Sequence, residues 1–190
     1  MKPSSRVLGI DDGPFRFGDT HVPLVGVAVQ APSYIDGILM TRAEVDGTDA
    51  TDRVAEMVGR SRYREGLAMI LIDGAAVGGF NVIDVEGLCR RLGIPVVTVT
   101  RRKPDLAAIQ RALRRRFEDW EGRWRVLTKL PLETIAKGSG RLHVAYAGAT
   151  REEVRQALAI TTIRGTIPEP LRIAHLIAAA IVRGESRGRA

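Results

Sequence analysis

The sequence predicts an α/β fold, a mixed sheet of three early strands followed by alternating helices and strands, with helices on both faces. Three observations predict it. Short continuous apolar runs at residues 7–10, 67–72 and 95–100 have the pattern of strands buried on both faces of a covered sheet. Segments between the later runs place apolar residues at helical spacing, as at Val54, Met57 and Val58, so helices cross over between strands. The β-branched and small residues of 24–29, and the apolar segment 35–41 after Pro32, add two strands joined by a tight connection, which makes part of the sheet antiparallel.

Each element follows from local chemistry. The first strand, 7–10, ends in Asp11-Asp12 before Gly13-Pro14 turns the chain, so two carboxylates emerge at its C-terminal end. Thr48 or Asp49 caps a helix that runs to about Arg62. The run 67–72 closes on Asp73-Gly74, which brings a third carboxylate to a strand end. A helix over 82–92 stops at Gly93, the strand 95–100 follows, and Pro104 opens a helix through Arg116. Residues 142–147 form one more strand, helices cover 151–161 and 171–183, and 184–190 is a short basic tail. No internal repeat appears, and a chain of 190 residues has the length of one core, so residues 1–183 are expected to form a single domain.

Composition narrows the function classes. The net charge of +7 and the pI near 10.3 favour a polyanionic partner, nucleic acid ahead of a membrane surface. The single cysteine, Cys89, excludes an intramolecular disulfide and suits a reducing compartment. The start of the chain lacks a signal-type apolar segment, and the longest apolar stretch, 173–182, contains His175 and is too short to span a bilayer. A cytoplasmic protein without membrane contact is the expectation. The oligomeric state is not specified.

Ligands of open α/β sheets collect at the C-terminal ends of strands, where Asp11, Asp12 and Asp73 emerge. Such oxygen donors suit Mg²⁺ or Mn²⁺, and a divalent ion there suits phosphodiester hydrolysis. The competing reading is that Asp-Gly pairs, which recur at Asp36, Asp46 and Asp73, are turn chemistry. The small-residue segment 74–81 lacks both the phosphate-loop and the dinucleotide-binding spacing, so no nucleotide cofactor is expected. Arg111, Arg114 and Arg115, with Arg116 beside them, share a helix face that either tracks a phosphate backbone or is simply solvated. His175 reads as a satisfied buried histidine and Glu169 as a charge in a first helical turn.

Four blocks carry a resemblance. Gly9-Ile10-Asp11-Asp12-Gly13, Asp46-Gly47-Thr48-Asp49-Ala50-Thr51, Asp73-Gly74 with Gly79-Phe80-Asn81, and Pro168-Glu169-Pro170-Leu171-Arg172-Ile173-Ala174-His175 resemble the archaeal endonuclease dU family and, more distantly, endonuclease V. The resemblance implies a ribonuclease-H-like fold and Mg²⁺-assisted cleavage of DNA beside a deaminated base, with deoxyuridine the lesion. It puts catalytic aspartates at Asp11 and Asp73, and Arg101 where endonuclease V keeps a lysine. Tyr34, in Tyr34-Ile35-Asp36-Gly37, takes the place of a wedge beside an extruded base. Gly74 and Asn81 would line the approach of that base, by backbone amides and a side-chain amide. Two positions depart from endonuclease V: its glutamate falls at Ala43 and its histidine at Ala149. Asp46 is the preferred substitute carboxylate, with Glu44, Asp12 and Asp36 as alternatives. Two other functions stay open at this level: a non-catalytic nucleic-acid-binding module, and a hydrolase of a small phosphorylated metabolite.

Overall fold

The computed structural model describes residues 5–16, 18–137 and 140–186. Seven strands form one mixed sheet in the order β3-β2-β1-β4-β7-β9-β8. The first three, β1 (Arg6–Asp12), β2 (His21–Gln30) and β3 (Tyr34–Glu44), are consecutive and antiparallel. Crossovers through α1 (Ala50–Gly59) and α2 (Val85–Leu92) then lay β4 (Leu67–Asp73) and β7 (Val96–Thr100) parallel to β1. Between β4 and α2, β5 (Ala76–Val77) and β6 (Asn81–Val82) make a small separate hairpin. Beyond β7 come α3 (Leu106–Arg116), α4 (Trp120–Leu127), β8 (Glu133–Lys137) and β9 (Gly140–Ala147), then α5 (Arg151–Thr161) and α6 (Glu169–Arg183).

The pleat divides the core. Alternate strand residues point to opposite faces: Leu8, Ile10, Ile70, Ile72 and Val96 pack with α1 and α2, whereas Val7, Met69, Leu71, Val97 and Val99 pack toward α5 and α6. All these strand residues are buried, which is why their runs read as continuously apolar. Gly9 lets α6 lie directly on β1, because a Cβ there would meet the backbone carbon of Pro170 at 2.3 Å. From that crossing point α6 advances along β1, so the residue five positions after Pro170 arrives over the strand end.

Several expected boundaries move for local reasons. The helix predicted from residue 82 starts at Val85, because Asn81–Val82 pairs with Ala76–Val77 and Asp84 caps the helix by accepting the Gly87 N–H at 3.0 Å. The first helix ends at Gly59 and not near Arg62. Asp49 stands at its N-cap, yet its carboxylate makes no cap bond and instead accepts from the Glu44 N–H, Asn81 and Arg53. The last helix begins at Glu169, two residues early, with Pro170 in its first turn. Residues 117–141, for which the sequence suggested no element, hold α4 and β8. The basic tail follows Gly184, which ends α6 in a left-handed conformation; its residues 187–190 lie outside the described residues.

Candidate active site

β1, β4 and β7 are parallel, and β3 runs in the same direction, so their C-terminal ends share one edge. Asp11 and Asp73 continue the row formed by Ile10 and Ile72. Both belong to the register that points toward α6, as does Arg101, two residues past Val99. Asp11 is 4% exposed. Its Oδ1 accepts the Asp12 N–H at 2.8 Å, and its Oδ2 lies 2.8 Å from Nδ1 of His175, carried there by α6. Asp12 has the opposite register, and its Oδ2 accepts the Gly78 N–H at 2.7 Å. A cleft of about 410 Å³ opens among Asp11, Asp12, Phe15, Asp73, His175 and Arg183.

These acids are held under electrostatic tension. The Asp73 carboxyl is raised to about 6, first by burial and then by the neighbouring Asp11 charge, against the pull of Arg101 and His175. Asp12 is also raised to about 6, first by burial and then by Asp11, against the lowering effect of the Gly78 hydrogen bond. His175 is raised above an ordinary imidazole, chiefly by its hydrogen bond to Asp11. Carboxylates destabilised in this way are short of positive charge. Among the described residues, no three His, Cys, Asp or Glu side chains converge as a complete metal-ligand group. Asp11, Asp12 and Asp73 nonetheless line one cleft, and a hard cation such as Mg²⁺ or Mn²⁺ needs only one or two carboxylates, completing its shell with water and substrate oxygens.

A second cavity of about 490 Å³ lies on the opposite face of the same edge. Thr98 and Thr100 of β7 line it, as do Ala76 and Phe80 from the hairpin region and Leu106 and Ile109 of α3. The two threonine hydroxyls donate to the β9 carbonyls of Ala145 and His143, so their bonding is already satisfied within the sheet. The cavity is mostly apolar. Segment 73–80 belongs to both spaces, with Asp73 lining the cleft and Ala75, Ala76, Gly79 and Phe80 lining the cavity.

The model of the family described as endonuclease dU matches residues 3–182. The chain belongs to the endonuclease dU family. Its relatives include a protein of Methanothermobacter thermautotrophicus, named UPF0215 protein, 42% identical over 191 residues that span 100% of this chain and 94% of the relative. A crystal structure of an Archaeoglobus fulgidus protein of unknown function superposes with a TM-score of 0.85 at 38% identity, covering 95% of this chain and 99% of that one. Human endonuclease V shares the fold at 15% identity and a TM-score of 0.60, covering 95% of this chain and 85% of that one. The fold is thus ribonuclease-H-like, and family membership places the chain among nucleases.

For this member of the endonuclease dU family, geometry sorts the residues named from sequence. Asp11, Asp12, Asp73 and Arg101 come together. Asp46 does not join them as an open carboxylate: its Oδ1 accepts the Phe80 N–H at 2.8 Å, its Oδ2 binds Arg116 at 2.6 Å, and its N–H donates to the Gly78 carbonyl. It adopts φ 57° to tie down the 78–80 turn. Gly79 needs its missing side chain there, since a Cβ would stand 2.3 Å from Asp46 Oδ1. Asn81 is fully buried, with its amide spent on Glu44 O, Asp49 and the Ala50 N–H, so it is structural and cannot read a base. The Gly74 N–H donates to Val99 O, and those of Gly78 and Phe80 are taken by Asp12 and Asp46. These three amides of the small-residue segment are committed inside the protein.

Tyr34 is misplaced for a wedge. It pairs with Gln30, and Gln30 with Arg6, so it stands six positions, roughly 20 Å, from Asp12 along the strands. Asp36 lies at that same far end, where it pairs with Arg6 at 2.5 Å. Arg111 and Arg115 are exposed on α3, and Arg114 stacks on Trp120 at 4.4 Å. Arg116, at the end of this helix, reaches Asp46, so α3 spans the mouth of the apolar cavity. His175, read from sequence as a satisfied buried histidine, is hydrogen-bonded to Asp11 but half-exposed, and it lines the cleft. The signal was its place six residues after Glu169, in a block whose Glu169 is buried and held by Arg172 at 2.7 Å.

Proposed function

We propose that this nuclease is a metal-dependent DNA-repair endonuclease, hydrolysing a phosphodiester bond at or near a deaminated base, with deoxyuridine the lesion. The observation that carries this reading is the convergence of Asp11, Asp12, Asp73 and His175 on one cleft beside an apolar cavity of about 490 Å³. Asp11, Asp12 and Asp73 would hold Mg²⁺ or Mn²⁺, which when bound supplies an acidified water and offsets charge on the phosphate.

The chain's own residues do the rest. His175 and the Asp12 N–H fix the orientation of Asp11. His175, kept protonated by Asp11 to higher pH than a free imidazole, holds a proton beside the cleft for the oxygen that leaves phosphorus. Arg101 adds positive charge at the rim, where it already acts on Asp73. Exposed Arg111 and Arg115 follow the phosphate backbone. A base rotated out of the stack finds in the apolar cavity the water-excluding surface that base-flipping enzymes use.

Single-turnover incision of duplex and single-stranded DNA carrying one deoxyuridine, against undamaged controls and with or without Mg²⁺, tests this. Metal-dependent incision near uracil that Asp73→Ala abolishes is the expected result. DNA binding without incision under every metal supplied would return the chain to a non-catalytic nucleic-acid-binding module. Hydrolysis of a small phosphate ester with no salt-dependent affinity for DNA would indicate a metabolite hydrolase.

A further inference from the structure

We propose that Phe15, and not Tyr34, is the aromatic side chain that stacks against the nucleobases at the cleft, an inference that rests on the nuclease reading above. Where the bond cut adjoins the extruded base, the side chain that fills the gap stands close to the carboxylates that act on that bond. Tyr34 stands roughly 20 Å from the carboxylates. Phe15 lines the carboxylate cleft itself, with Asp11, Asp12, Asp73 and His175.

Three features suit Phe15 to stacking. It is 40% exposed, so a flat apolar ring is presented to solvent beside charged groups. Tyr34, 69% exposed, is the other aromatic among the exposed large hydrophobic residues of the described chain. The ring also stands at the join between the two cavities: a Cβ on Gly79 would lie 3.6 Å from its tip, and Gly79 lines the apolar cavity. A base leaving the stack for that cavity passes this ring.

The backbone beneath Phe15 is held in place. The Gly13 N–H donates to Pro23 O at 2.9 Å. A Cβ on Gly13 would come within 2.7 Å of Pro23 and 2.9 Å of Val182, so the turn is packed against β2 and α6. Pro14 restricts the next φ. A ring fixed in this way loses little freedom on binding. Arg16 follows directly and is exposed, which sets a basic group beside the ring in the aromatic–basic alternation of single-strand binding surfaces.

The test uses DNA with one deoxyuridine next to 2-aminopurine, whose fluorescence rises when its neighbour unstacks. Binding is read in an Asp73→Asn background and incision in the otherwise wild-type chain, for Phe15→Ala, Phe15→Leu, Phe15→Tyr and Tyr34→Ala. Phe15→Ala and Phe15→Leu are expected to lose the fluorescence rise and about 10-fold in affinity for the lesion strand, with Phe15→Tyr restoring both and Tyr34→Ala matching the parent. Leucine keeps apolar bulk without a flat face, so its failure separates stacking from simple packing. An unchanged signal in Phe15→Ala, or a loss confined to Tyr34→Ala, overturns the assignment. A parent that brightens the reporter through Phe15 yet incises nothing overturns the nuclease reading alone, and one that does neither overturns both.

Discussion

The carboxylate cleft and the apolar cavity are made by the same strand ends and differ in nearly every property. Asp11 and Asp73 line the cleft with His175 of α6, and the charge of Arg101 acts on Asp73, whereas Thr98 and Thr100 face the space under α3. Position along a strand decides that a residue reaches the active edge, and parity decides the face for most of them; Asp12, of the opposite parity at the very end of β1, still lines the acidic cleft. A slip of one residue in β7 would bring Thr100 toward the acids and send Arg101 into the apolar space.

Breaking the cleft should have the larger effect. His175→Ala removes both the proton held beside the cleft and the group that orients Asp11, and incision is expected to fall about 10²-fold. Single-turnover rates should also lose the decline that wild type shows as pH rises through the raised His175 pKa. Filling the cavity should leave chemistry intact and weaken discrimination. Ala145→Leu extends a side chain into it from β9, and the preference for uracil-containing over undamaged DNA should drop about 10-fold in competition binding, with little change in the maximal rate on the lesion. Such a variant separates the two spaces most sharply.

Smaller effects test the surroundings. Replacing both Arg111 and Arg115 with Gln should weaken binding to all DNA alike and reduce the slope of log affinity against log salt by about 2, measured by fluorescence anisotropy. The last prediction concerns stability. The folded pKa of Asp73, about 6, lies above the unfolded value, so the folded state holds the proton more tightly. This group therefore costs stability as pH rises from about 4 through about 6. Solvent contact reduces the effect, and metal-free Asp73→Asn should exceed wild type by about 1–2 kcal/mol at pH 7.5 and match it near pH 4. Thermal unfolding at the two pH values checks this, and added Mg²⁺ should raise the wild-type midpoint more than that of the variant.

The legible part of the molecule was the part with strong local patterns. β1, β4 and β7 were readable because strands buried on both faces must be apolar throughout, and the acids at their ends because a carboxylate closing such a run has no place in the core. α4 escaped notice although Trp120, Trp124 and Leu127 stand at helical spacing, because it is only eight residues long and buries none of them. β8 escaped because it is a short edge strand, made by pairing with β9 and not by its own composition. Asp46 and Asn81 misled for a common reason. A polar residue at or near a glycine turn can serve a ligand or the fold equally well, and its hydrogen-bond partners, Phe80 and Arg116 for Asp46 and Glu44, Asp49 and Ala50 for Asn81, lie 31 or more positions away.

By itself, then, the sequence determined the order of the central strands and their crossover helices, the burial of those strands, the family, and the arrival of Asp11, Asp12, Asp73 and Arg101 at one edge. The strands, their burial and the strand-end acids follow from periodicity and strand direction, which act over a few residues, whereas the family and the place of Arg101 follow from the resemblance of whole motif blocks. Only the tertiary structure decided that His175 meets Asp11 across 164 positions, that Asp46 is tied to Arg116, and that Tyr34 stands at the end of the sheet away from the acids while Phe15 lines their cleft. Those outcomes depend on how α6 crosses β1 at Gly9 and on the register of β3, and packing between distant segments sets both.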